Sequence, residues 1–418
     1  LSGNDGNSYN NTKIIPIYTV REYLPRALNS TATTATPIDF HATGLSSTAN
    51  TVNVALGNSQ GNNVIATTTT SLTVPATATV TLNNKAGDAT TAQEITLKVT
   101  DIENNAFTGC TYLRWIDGTV LPASFTPSSL ERSVSGTTFF GVPKQALVYL
   151  PGTTFAGENY VYSPGDGNYY CGKFKIYDDL SGSQTSFSET DGYKWAYENI
   201  HEFTAYTIEN TRALTAGRHY TTCLPYDFPL PATLKAYTLK GTNTANTLIG
   251  FEEVTGTLTK YTPYVLIPST SGQLLSTTNA VVQKLEESSV KTELRPATAG
   301  NFTLYGTMRY MDGPDAAGKY IMQYNNGSPT WKVISGSSSY NGACILPMRA
   351  YISGNGSSGA RIYLNAMFTD AEGNTTNIEQ LRVDEEDGTI YDLQGRKQTS
   401  PIQKGIYIIP NGRKIIVK

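Results

Sequence analysis

Histidines, clustered carboxylates and aromatic runs are the side chains from which chemistry could start in this sequence. Its three histidines are His41, His201 and His219. Asp39 and His41 stand two apart on a predicted strand, so both leave the same face and could pass a proton or supply half a metal site. No third ligand stands in a motif beside them, and the preferred reading is a surface pair. His219 follows Arg218 at the start of a predicted strand and is expected to be a turn histidine. Carboxylates gather at Asp178-Asp179 and at Asp384-Glu385-Glu386-Asp387. The second run lacks the alternating oxygens around a glycine that a calcium loop uses, so it reads as a solvated linker. A glycosidase-type carboxylate pair would meet only in the fold, and sequence leaves it open.

Gly354-Asn355-Gly356-Ser357-Ser358-Gly359 has the form G-x-G-x-x-G, but strand-like Arg361-Ile362-Tyr363-Leu364 follows at once. A dinucleotide site needs a helix there to meet the pyrophosphate, so a hairpin loop is predicted. No G-x-x-x-x-G-K-[ST], H-E-x-x-H or G-x-S-x-G motif occurs, and no catalytic residue, cofactor or metal is assigned. Cys110, Cys171, Cys223 and Cys344 form no C-x-x-C. Three disulfide pairings are open, and the preferred reading is four small buried hydrophobes, with Cys110 reduced and facing inward. The ligand-binding candidates are Tyr193, Trp195 and Tyr197, which alternate at period two and so share one strand face. Such rings offer large contact area at little entropic loss, although a shared face more often packs into a core.

The elements that must position these residues are strands. The chain has 418 residues, with 39% hydrophobic and 16% charged. Its 27 Tyr, 37 Gly and 20 Pro, with abundant Thr, favour pleated surfaces and tight turns over helices. A formal net charge of -3 provides no basic field, which argues against nucleic acid and anionic membranes as partners. No run of about 18 uncharged apolar residues provides a transmembrane helix. Residues 1–12, rich in Ser, Asn and Gly and starting without Met, resemble the leader left after removal of an export signal, so a secreted or surface-held protein is expected.

The pattern divides the chain into five parts. Residues 1–38 form a tail with a possible strand. Residues 39–158 are β-rich, with short Thr/Val strands such as Thr51–Leu56 and alternation at Glu94–Val99. Residues 159–200 are an aromatic-rich junction containing Tyr160, Tyr162, Tyr169 and Tyr170. Residues 201–372 hold about nine alternating segments that predict a β-sandwich. Residues 373–418 are a linker and a small C-terminal β element, in which Asn411-Gly412 is a hairpin signal.

Within the second part, Ile102 to Ile116 places Ile102, Phe107, Leu113 and Ile116 at positions that can be buried only when a neighbouring coil stacks on them. This stretch resembles one unit of a BspA-like leucine-rich repeat. Thr137 to Pro151 resembles a closing unit, with Phe140-Gly141-Val142 in the place of Phe107-Thr108-Gly109-Cys110. Ala216 to Tyr226, Tyr261 to Ile267 and Leu346 to Tyr351 resemble a β domain of exported Bacteroidetes proteins. Ile390 to Lys397, Lys404 to Ile409 and Asn411 to Lys418 resemble their C-terminal element and, more loosely, a type IX sorting domain. The resemblance implies a mainly β fold: a short leucine-rich-repeat-like coil region, then a β-sandwich and a small C-terminal element. It further implies a non-enzymatic surface protein acting in adhesion or ligand binding, with a host extracellular protein or glycan as partner. A secreted carbohydrate-active enzyme or carbohydrate-binding accessory module is the second reading, and a structural spacer the third.

Overall fold

The computed structural model describes residues 27–29, 36–38, 40–45, 52–56, 65, 67, 69–83, 92–153, 156–177, 198–242, 248–285, 293–311, 313–325, 328–334, 344–354, 363–372, 375–376, 390–391, 397–398, 405–408 and 414–417. The fold is mainly β, and the helix Gly313–Ala316 is one short turn.

Residues 65–163 build a stack of coils. The strands Ser71–Thr73, Trp115–Asp117, Leu147–Pro151 and Tyr160–Ser163 lie side by side and parallel. Their register aligns Leu72, Ile116 and Val148, and all three are buried in one core with Ile102, Phe107, Cys110, Leu113, Phe139, Val142, Leu150 and Tyr160. Strand alternation explains this division, because Trp115 and Asp117 must leave the face opposite to Ile116. Between strands the Phe107 ring stacks on Phe139 at 6.0 Å, and Phe139 meets Tyr160 at 5.3 Å. Phe107, Leu113 and Ile116 are therefore buried as their spacing predicts, and Cys110 is a buried, reduced thiol that donates to the Ile65 carbonyl at 3.7 Å. One alignment shifts: Phe139, not Phe140, occupies the place of Phe107. The offset that relates Phe107 to Phe139 also relates Gly109 to Gly141, Cys110 to Val142 and Ile116 to Val148, and both glycines have positive φ. A Cβ on Gly141 would sit 2.4 Å from the Phe107 carbonyl oxygen, so the close approach of the two turns requires glycine there.

Buried backbone groups between coils need partners, and two polar side chains provide them. Asn159 is fully buried. Its amide donates to the carbonyls of Lys144 and Lys175 at 2.9 Å each, and its Oδ1 accepts from the Lys175 N–H at 2.8 Å. The Arg132 guanidinium lies 4.6 Å over the Tyr160 ring and donates to the carbonyls of Pro143, Ala146, Glu158 and Asn159.

This sheet does not stop with the coils. It continues as a mixed sheet through Tyr170–Ile176 (antiparallel), Phe203–Asn210 (parallel) and Thr277–Val282 (antiparallel) to make seven strands, crossing positions 158 and 200, where the sequence pattern changes character. Its second face carries another core, joining Leu147, Tyr149, Val161, Cys171, Phe174 and Phe203 to Leu224, Tyr226, Tyr261 and Tyr264. The coil core thus lies on one face of the sheet and the later chain packs on the other, and both reach the strands Leu147–Pro151 and Tyr160–Ser163.

Residues 220–376 contribute an eleven-stranded sheet. One arm runs through Tyr220–Cys223, Pro263–Pro268, Leu234–Thr242 and Leu248–Val254. Tyr363–Thr369 leads into the other, made by Ser328–Val333, Tyr320–Asn325, Arg349–Gly354, Phe302–Thr307 and Leu294–Ala299, and also pairs with the eleventh strand, Thr375–Thr376. Tyr237, Phe251 and Val265 from the first arm share a core with Phe302, Leu304, Trp331 and Ile352 from the second, and Phe251 stacks on Trp331 at 5.9 Å. Arg349–Gly354 and Tyr363–Thr369 flank the G-x-G-x-x-G segment but do not pair with each other: two strands separate them. Residues 355–362 lie outside the described residues, but the strands on either side are not the predicted hairpin pair, since Tyr363–Thr369 pairs instead with Leu248–Val254 and Ser328–Val333.

Ala27–Asn29 pairs with Thr36–Ile38 near the start of the chain. Phe40–Leu45, Val52–Leu56, Ala92–Ile102 and Thr77–Asn83 form a four-stranded sheet that leads into the coils. The C-terminal element is also four-stranded, and Gly405–Ile408 pairs antiparallel with Lys414–Val417 on either side of Asn411-Gly412.

Candidate functional site

Tyr193, Trp195 and Tyr197 lie outside the described residues, as do Asp39, Asp178-Asp179 and the 384–387 carboxylates. His41 lies in the strand Phe40–Leu45. His219 is buried, with its ring 4.9 Å from Phe368 and its Nδ1 3.3 Å from the Tyr324 hydroxyl, while Nε2 has no partner. Burial pushes it down to about 4, which keeps the imidazole neutral and makes it a core residue.

His201 is placed where chemistry is conceivable. Its ring stacks on Tyr169 at 4.1 Å and 9° and meets the Tyr149 edge at 5.3 Å. Its Nε2 lies 3.8 Å from Asp117 Oδ2, too long for a hydrogen bond and close enough for an ion pair with imidazolium. Asp117 leaves the outer face of the coil strand Trp115–Asp117 beside Trp115. Burial raises the Asp117 carboxyl, but His201 and the Thr119 hydroxyl and N–H, at 2.6 and 3.1 Å, together hold it below its ordinary value. Arg114 and Glu198 close the rim with an ion pair at 2.8 Å. The Thr119 hydroxyl donates to Asp117 itself, so the geometry orients an imidazole without activating a hydroxyl for attack. What remains is a partly buried face of Trp115, Asp117, Tyr169 and His201, with Trp115 and Tyr169 packed against the second core and their remaining surface suited to contact.

A second cluster stands on the other face, past the last coil. Tyr162 and Tyr170 are cross-strand partners with rings 5.7 Å apart, and Tyr170 stacks on Tyr206 at 6.3 Å and 11°. Tyr206 is 47% exposed. Burial and then the hydrogen bond with Tyr206 push the Tyr162 phenol up to about 12. Next to it, Lys173 reaches Glu158 at 2.9 Å and Glu209 at 2.7 Å, and Lys175 reaches Glu158 at 3.4 Å and Glu209 at 3.2 Å. Partial burial raises Glu158, but the Tyr177 hydroxyl and both lysines outweigh it and hold the carboxyl at about 2.

Among the described residues no group of three or more His, Cys, Asp or Glu side chains could hold a metal ion. No family model, no curated protein and no solved structure matches this chain. Sequence reasoning missed Asp117, His201 as its neighbour, and Tyr206. The one local signal was that Tyr206 occupies an alternating position in a predicted strand, beside an aromatic run that held Tyr162 and Tyr170.

Proposed function

We propose that this chain is a non-enzymatic, exported cell-surface protein of the BspA-like leucine-rich-repeat kind, acting in adhesion by binding a host extracellular protein or glycan. The observation that carries this reading is the coil stack: inward residues recur in register while Trp115 and Asp117 leave the outer strand face beside Tyr169 and His201. Strand faces of stacked coils offer a rigid surface, and amphipathic rings on such a surface anchor partners at small entropic loss. The test is capture of the purified chain by immobilised host extracellular proteins and by a glycan array. Trp115→Ala and His201→Ala are expected to weaken capture at least tenfold with the fold kept, and Trp195→Ala probes the sequence-stated candidate face in the same assay. Equal capture by all variants would move the binding face elsewhere. Turnover of a polysaccharide, lost on replacing one Asp or Glu, would overturn the non-enzyme reading.

A further inference from the structure

The sheet face that carries the coil core continues beyond the last coil, where Tyr162 is buried and Tyr206 is 47% exposed among the described residues. Tyr160 points into that core, so Tyr162, two positions on, shares its face; cross-strand pairing puts Tyr170 and Thr204 there, and alternation adds Tyr206. Val281, 41% exposed, pairs with Thr204 on the outermost strand. The loop that joins Tyr160–Ser163 to Tyr170–Ile176 turns on Gly165 and Gly167, both at positive φ, and brings Asp166 to the rim. There the Asn168 N–H donates to Asp166 Oδ1 at 2.9 Å and the Tyr170 hydroxyl donates to Oδ2 at 3.3 Å. The Asn168 side chain and the Asp166 N–H also bond this carboxylate, which is exposed and is held below its ordinary value by the Asn168 N–H and these other donors.

Elsewhere tyrosine rings of this chain are met by its own cations: Arg132 on Tyr160, Arg212 on Tyr220, Arg218 on Tyr324 and Lys319 on Tyr351. Lys173 and Lys175, on the neighbouring part of the same strand as Tyr170, are paired with Glu158 and Glu209, and Lys175 also lies 5.1 Å over the Tyr177 ring. Among the described residues, the Tyr162–Tyr170–Tyr206 cluster has instead a carboxylate with no ion pair beside a half-open ring. We propose that Tyr206, Tyr170 and Asp166 form a subsite for an arginine side chain of a partner polypeptide, the guanidinium lying on the open Tyr206 ring and its fork reaching Asp166. The chemistry favours arginine. A planar guanidinium stacks on an aromatic face and forks to a carboxylate at once, whereas an ammonium is a more strongly hydrated point charge. The phenols are already tied to Asp166 and to one another, so little ordering is needed on binding.

This subsite deepens the adhesion reading and rests on it for its setting, so the test separates the two. Fluorescence anisotropy with labelled hexa-arginine is run on the full chain and on variants with unchanged circular dichroism. Tyr206→Ala and Asp166→Asn are each expected to weaken binding roughly fivefold or more. Tyr206→Phe and the exposed control Asp315→Asn should keep it, and hexa-citrulline should not bind. Asp166→Asn behaving like Asp315→Asn, or hexa-citrulline binding as well as hexa-arginine, would overturn the subsite. So would loss of a glycan on Tyr206→Ala with peptide binding unchanged. If the peptide fails to bind while Trp115→Ala still abolishes capture of a host protein, the subsite falls and adhesion stands. If the wild-type chain captures neither, both fall.

Discussion

The coil stack and the two-armed sheet bury similar side chains by different rules. In the coils, a contact joins a residue to its counterpart one turn along, as Phe107 to Phe139 and Ile116 to Val148, so burial is a property of neighbours. In the arms, Phe251 meets Trp331 and Tyr237 meets Phe368 across long stretches of chain, so the core exists only when all of it is assembled. A third core joins them: in the strand Leu147–Pro151, Val148 and Leu150 fill the coil core, while Leu147 and Tyr149 pack with Leu234, Ala236 and Leu266 on the back of the first arm. A single strand therefore couples a local architecture to a non-local one.

The strongest way to break this comparison is to empty each core separately. Phe107→Ala and Trp331→Ala should each cost about 3 to 5 kcal/mol, because both side chains are fully buried and their neighbours cannot collapse into the space. In native-state hydrogen exchange, Phe107→Ala is expected to unprotect mainly 99–151, and Trp331→Ala mainly 234–268 and 302–354. Equal loss of protection in both regions from either change would mean that the joining strand makes them one cooperative unit.

Acid should separate the regions next. His219, in the arms, titrates near 4 when folded against an ordinary 6.5, because burial disfavours its charge. The unfolded chain therefore binds more protons between those values, and stability is present above about pH 6.5 and lost as pH falls toward 4. The loss should be on the order of 3 kcal/mol. Denaturant titrations at pH 7 and pH 4 should show it, and His219→Phe should flatten the dependence; an unchanged slope in that variant would assign the acid sensitivity elsewhere.

A smaller effect sharpens the account of the coils. Asn159→Ala leaves the Lys175 N–H and two carbonyls without their partner in a buried turn, and should cost about 2 kcal/mol. Asn159→Asp keeps the acceptor but loses the donors, so it should not restore stability; full stability in either variant, read from thermal unfolding, would remove the side chain from the list of supports. Least of all, Glu158→Gln should change stability by no more than about 1 kcal/mol, because its lysine partners are solvent-exposed. Its depressed carboxyl contributes above its ordinary value near 4.5 and is lost as pH falls toward 2, so the coils should feel acid later than the arms.

The inward set of the coil unit was legible because a repeat writes its core locally: Phe107, Leu113 and Ile116 sit at spacings that leave them nowhere else to go. The adjacent Phe139 and Phe140 show the limit of that reading. Both satisfy the composition of the unit, and only the stacking of one turn on the next decides which ring lies inside. The same limit applies to the strands around the G-x-G-x-x-G segment, whose partners local pattern did not specify.

Alternation of Thr, Val and Tyr determined by itself that this chain is built of strands, and the absence of clustered basic residues determined its nearly neutral surface. Tertiary structure alone decided that Asp117 meets His201, that Arg114 meets Glu198, and that Tyr206 joins Tyr162 and Tyr170 beside Asp166. The reason is physical. Burial follows from the pattern within a few residues, because an apolar side chain gains by leaving water whatever it meets. A polar or aromatic pair gains only from a particular neighbour at a particular distance, and that neighbour is supplied by strand order.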